Sequence, residues 1–145
     1  MYGVRIVDHE QLDLLELISE CYNSIRKKIE ERWSEISDIT ISNSEWYIMM
    51  KIYKKQPTIS SVTKNVRISR QATHKFIKKL ESKGLVETLP GNNNRDKCIQ
   101  LTNIGELCVE KYIVLKKDLE MNIREKIGNE KFTIIKEILQ SEWGN

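Results

Sequence analysis

Between Leu12 and Ile36 apolar residues return every three or four positions: Leu12, Leu15, Ile18, Tyr22, Ile25, Ile29, Trp33 and Ile36. That period marks one helical face and predicts a helix over 9–37. Leu14, Leu17 and Cys21 add a second stripe beside the first. A helix of about 28 residues would be roughly 42 Å long at 1.5 Å per residue. One small domain does not cover that length, so two stripes predict packing against a second subunit as well. A new helix is announced at Ser42 and Glu45, whose S-N-S-E spacing fits a capping box with Ile41 and Trp46 placed as a hydrophobic staple. Trp46, Met49, Met50 and Tyr53 follow at i, i+3, i+4 and i+7 and predict its apolar face. Lys54-Lys55-Gln56-Pro57 ends it.

The stretch from Thr58 to Leu85 carries the most specific pattern. Thr58 and Ser69 are each placed to accept a backbone N–H ahead of a helical run, so two short helices joined by a tight turn are expected. Val62 and Val66 give the first its buried side. In the second, Thr73, Phe76, Ile77 and Leu80 share one face, leaving Arg70, Gln71, His74, Lys75 and Lys78 on the other. Gly84 stands where a left-handed residue closes a helix. An apolar back with a basic, hydrogen-bonding front suits a helix lying in the DNA major groove.

After Gly84 the period shortens. Leu85–Leu89 and Cys98–Leu101 read as two strands joined by P-G-N-N-N-R-D-K, a hairpin with a mobile tip. Arg95 and Lys97 stand on that tip, and a wing arginine beside a recognition helix suits the narrow minor groove. Thr102 is placed to cap a helix over 103–127, with Ile104, Leu107, Cys108, Leu115, Leu119, Ile123 and Ile127 as its apolar positions. Gly128-Asn129 breaks it. A last helix over 130–143 uses Phe132, Ile135, Ile138, Leu139 and Trp143. Apolar terminal helices flanking a basic middle predict interleaving between two subunits.

Charge sharpens this picture. The 145 residues carry a net charge of only +3. Residues 1–50 hold five Lys/Arg against ten Asp/Glu, whereas residues 64–83 hold seven Lys/Arg against Glu81 alone. The excess therefore sits on the predicted recognition segment. Three cysteines (Cys21, Cys98 and Cys108) are an odd number without a C-x-x-C pair, which favours reduced thiols in a cytoplasm. No run has the length of a membrane span, and the first ten residues lack a signal-peptide core. Catalysis finds little footing. His9 and His74 are far apart, no metal-ligand spacing occurs, and neither a nucleophile-elbow nor a phosphate-loop motif is present. No cofactor is expected.

S-N-S-E-W, T-I-S-S-V-T-K-N-V-R-I-S-R-Q-A-T, L-E-S-K-G-L-V-E and N-N-R-D-K-C-I-Q-L-T-N-I-G occur in that order. Together they resemble the motifs of the MarR family of bacterial winged-helix transcription regulators, over about residues 10 to 140. The resemblance implies one MarR-like domain over 1–145, mainly α with a small β-hairpin wing. A DNA-binding lobe would occupy 38–102, and dimerisation helices 8–37 and 103–145. It further implies a homodimeric regulator of double-stranded DNA, with Ser69, Arg70, Gln71, His74, Lys75 and Arg95 at the duplex. The basic helix face and the wing tip add Lys78 and Lys97 as contacts, and a repressor is the expected output. An effector, a small aromatic or lipophilic molecule, would be bordered by Trp33, Trp46, Met49 and Tyr53. Three departures from the family pattern stand out. Asn93 replaces the wing aspartate, which implies a looser wing, and Ser61 replaces a capping-box glutamate. Ile18 occupies the position of the reactive cysteine of peroxide-sensing members. Cys21, one turn later, gives the alternative of a thiol switch, and a winged helix for protein or RNA contact is a further alternative.

Overall fold

The structure is a computed structural model that describes residues 11–93 and 96–143, the side chains of Asn92 and Asn93 excepted. The chain divides into two compact units, Met1–Asp38 and Ile39–Asn145.

The first unit contains α1 (Leu14–Ile36), 23 residues or about 35 Å long. It begins later than the apolar period suggests. Asp13 accepts a hydrogen bond from the Glu16 backbone N–H at 2.8 Å and so fixes the first turn there. His9 and Glu10, the start of the expected helix, lie outside the described residues. Leu14, Leu15, Tyr22, Ile25 and Ile36 are exposed along α1.

The second unit contains α2 (Asn43–Ile52), α3 (Ile59–Asn65), α4 (Arg70–Ser82), β1 (Val86–Asn93), β2 (Asp96–Leu101), α5 (Asn103–Ile127) and α6 (Asn129–Gln140). This is a winged helix-turn-helix extended by two helices, mainly α with one antiparallel hairpin, as the sequence predicts. The Ser42–Glu45 capping box forms in both directions, with Glu45 N–H donating to Ser42 Oγ at 3.2 Å and Ser42 N–H to Glu45 Oε1 at 2.9 Å. The buried stripe of α2 is rotated from the expected one. Ile48, Met49 and Ile52 are fully buried, while Met50 and Tyr53 are half-buried at its margin. Both stripes satisfy the helical period, and only packing against α4, β2 and α5 chooses between them.

The hairpin pairs Val86 with Leu101 and Thr88 with Ile99, so Val86, Ile99 and Leu101 face the core together. Its strands run further towards the tip than the expected pair, to Asn93 and Asp96. A Cβ at Gly91 would collide with the Asp96 carbonyl, so only glycine permits that close crossing. The preceding chain adds a partial third strand: Ile99 N–H donates to the Pro57 carbonyl at 2.9 Å, and Thr58 bridges Cys98.

Thr102 caps α5 through Gly105 N–H at 3.1 Å and donates its hydroxyl to the Gly84 carbonyl at 2.6 Å. The start of α5 is thereby fastened to the turn that follows α4. Cys108, Val109, Tyr112, Leu115 and Leu119 carry α5 into the core. At Gly128, φ is +88°, and α6 begins there. Phe132 alone of α6 is buried, with the Arg124 guanidinium 4.4 Å from its ring centre.

Candidate nucleic-acid interface

The interface begins with two caps. Thr58 Oγ1 accepts from Ser61 N–H at 3.1 Å and starts α3, a one-sided cap because serine replaces glutamate there. Ser69 Oγ accepts from Ala72 N–H at 3.1 Å and starts α4. Between them the chain turns over three residues, with Val66 buried beneath it. The far end of α4 is closed as firmly. Gly84 has φ +73°, its N–H donates to the Glu81 carbonyl, and Leu85 N–H reaches the Leu80 carbonyl, both at 3.0 Å. This pair of bonds satisfies carbonyls that the last turn leaves open.

Thr73, Ile77 and Leu80 form the buried back of α4. Thr73 carries a polar atom into that core, and its hydroxyl is satisfied by the Ser69 carbonyl at 2.9 Å. On the other side Ser69, Arg70, Gln71, His74, Lys75 and Lys78 are all exposed. Six residues singled out in the sequence therefore share one surface, and it combines three fixed cations with amide, imidazole and hydroxyl groups.

The wing is joined to this surface through α3. Ser60 Oγ donates to Asp96 Oδ1 at 2.8 Å. An acidic side chain at the tip end of β2 thus ties the hairpin to α3, although Asn93 replaces the expected aspartate. Lys97 is exposed on β2. Arg95 lies outside the described residues.

Lys83 belongs to the same basic run in sequence but not to the exposed surface. Its Nζ lies 2.8 Å from both Glu45 oxygens and 2.6 Å from the Thr40 carbonyl. Burial would push the Glu45 carboxyl up, but the Lys83 ammonium and the Ser42 donors outweigh it and hold the group below the usual carboxylate range. This pair is not legible in the sequence. Its partners are 38 residues apart, and no local spacing announces it.

The four residues expected around an effector separate. Trp46 is buried and stacks on Tyr112, ring centres 3.9 Å apart. Both border a cavity of about 810 Å³ that also takes in Tyr47, Lys51, Arg67 and Lys116. Met49 is fully buried in the core, and the Tyr53 hydroxyl donates to Glu110 at 3.4 Å. Trp33 stands on α1 in the first unit. Of the cysteines, Cys21 is exposed, Cys98 half-buried and Cys108 buried, its thiol pushed up by burial. Among the described residues no three His, Cys, Asp or Glu side chains are grouped to hold a metal, and no helix is long and apolar enough to cross a membrane.

No family model and no curated protein matches this chain by sequence. Solved structures do match in fold. A mutant MarR from E. coli complexed with operator DNA is 23% identical, with 92% of this chain and 97% of that one covered at a TM-score of 0.74. The S. aureus MepR–DNA complex is 20% identical over 89% and 95% of the two chains, at a TM-score of 0.73. MepR described as a transcription regulator of the Staphylococcus aureus multidrug efflux pump MepA is 18% identical over 88% and 94%, at 0.70. At such identities the likeness is one of fold.

Proposed function

We propose that this protein is a sequence-specific DNA-binding transcription regulator, a repressor that acts as a homodimer on an inverted repeat. The observation that carries the reading is the exposed front of α4, with Arg70, Gln71, His74, Lys75 and Lys78 on one side of a helix whose other side is core. The fold neighbours include two complexes with DNA, which supports the same use of the fold here. Gln71 and His74 would read base edges, since amide and imidazole groups donate and accept in fixed directions. Arg70, Lys75 and Lys78 would neutralise phosphates, with Lys97 and Arg95 reaching the backbone or minor groove from the wing. No catalytic step is assigned to the chain.

A two-fold dimer would set its half-sites about 10 base pairs apart. Selection of duplexes from a random pool by the full chain tests this reading. Enrichment of a palindrome with that spacing supports it, and a pool that stays random after repeated rounds refutes it. The cavity beside Trp46 and Tyr112, rimmed by Lys51, Arg67 and Lys116, suits a small aromatic effector that carries negative charge. Tryptophan fluorescence should change on titration with aromatic carboxylates, and an unchanged signal across a broad set removes that part of the reading.

A further inference from the structure

Among the described residues Glu45 is the only charged side chain that is buried, 2% exposed. A carboxylate in that position is costly unless its lone pairs are filled. They are filled from two directions. Ser42 N–H donates to Oε1 from the capping box of α2, and the Lys83 ammonium, at the C-terminal cap of α4, sits against both oxygens. An ammonium has three donors. Two Glu45 oxygens and the Thr40 carbonyl supply three acceptors within 2.8 Å, so none remains for a phosphate.

The body of α4 is otherwise held by packing of Thr73, Ile77 and Leu80, and the turn after it by the Thr102 hydroxyl on the Gly84 carbonyl. Apolar contact is non-directional and leaves a helix some freedom to roll or tilt. A charged hydrogen bond does not. Leverage makes this matter. Ser69 lies about 12 Å along α4 from the buried Ile77, so a tilt of about 10° about that packed centre would carry Ser69 through about 2 Å and would pull Lys83, at the opposite end, off Glu45.

We propose that Glu45 and Lys83 are positioning residues for DNA recognition: their buried pair fixes the aim of α4, and hence which base edges its front can reach, without either residue touching DNA. The inference rests on the reading of α4 as the recognition helix. It separates Lys83 from the other lysines of the basic run and gives Glu45 a task beyond capping α2.

The test compares wild type, Glu45→Gln, Lys83→Met, Lys83→Arg and Lys78→Met, each shown by circular dichroism to be folded at the assay temperature. The full-length proteins are titrated against the duplex that wild type selects and against a scrambled duplex, over a range of salt. Glu45→Gln keeps an acceptor for Ser42 but removes the ion pair. It and Lys83→Met should cut the preference for the selected duplex by roughly fivefold to a hundredfold, about the discrimination of one base-edge contact. Their salt slopes should stay at the wild-type value. Lys83→Arg should restore the preference. Lys78→Met should do the reverse, weakening both duplexes alike and lowering the slope by about 0.9. Folded Glu45→Gln and Lys83→Met proteins with wild-type preference would overturn the inference while leaving α4 as a DNA reader. A lowered salt slope in Lys83→Met would overturn it too, because Lys83 would then be a phosphate contact. Wild type that binds neither duplex would overturn the DNA reading and the inference with it.

Discussion

Helices α4 and α6 are close in length and both amphipathic, yet they leave opposite chemistry in solvent. α4 buries Thr73, Ile77 and Leu80 and exposes cations and amides. α6 buries Phe132 alone and exposes Ile134, Ile135, Ile138 and Leu139, each 46–59% accessible. An exposed front of fixed charges is stable in water and ready for a polyanion. A run of exposed isoleucine and leucine, continued at the end of α5 by Met121, Ile123 and Ile127, is a surface of the kind that marks a protein interface. The same helical period therefore yields two kinds of outer face, and the residue types on it decide which.

The largest way to break that contrast is to charge α6. Ile135→Glu together with Ile138→Glu should weaken self-association on the order of a thousandfold, since two buried isoleucines contribute about 2 kcal/mol each. Sedimentation should find the wild type dimeric at micromolar concentration and the double variant monomeric. A wild-type monomer would remove the interface from the account. On α4 the effects are smaller and of two kinds. Gln71→Ala or His74→Ala should cost about 1–3 kcal/mol on the selected site and little on random duplex. Equal losses on both would show that neither side chain reads a base.

Next comes a structural edit at the turn that follows α4. A Cβ at Gly105 would strike the Leu85 carbonyl where α5 crosses the turn after α4. Gly105→Ala should therefore lower stability by about 1–3 kcal/mol, measured by urea unfolding. An unchanged midpoint would mean that the crossing relaxes without strain. The smallest expected effect is in acid. The folded-state pKa of Glu45 lies below its unfolded value, so the stabilisation it contributes is present above about pH 4.5 and disappears as pH falls through the folded value. The stability gap between wild type and Glu45→Gln should narrow as pH drops below that point. A gap that stays constant down to pH 2 would contradict the ion pair.

The sequence was most informative where the signal is local. Ser42 with Glu45, Thr58, Ser69, Gly84, Thr102 and Gly128 fix helix ends through bonds spanning three to five residues, and each stands at the boundary expected of it. The exposed and buried faces of α4 follow from the same short range. Asp13 was legible in principle as a cap, but the longer apolar period masked it. The rest is tertiary. The stripe of α2 turns on Ile48 and Ile52, which only packing selects over Met50 and Tyr53. The hairpin runs on through Pro90, a poor strand former alone, because Lys97 of β2 pairs with it, and the register shifts before Asn93 meets Asp96. Lys83 is one more cation of the basic run in sequence, and only the fold sets Glu45 beside it.

The central claim, that the front of α4 faces a duplex, is tested most directly by the salt dependence of binding. Titrating labelled double-stranded DNA with the wild-type protein should give a log–log slope of several units, each neutralised phosphate contributing about −0.9, and Arg70→Ala should flatten it by about one such step. A duplex left unbound at low ionic strength, or a slope that Arg70→Ala, Lys75→Ala and Lys78→Ala all leave unchanged, would contradict the account.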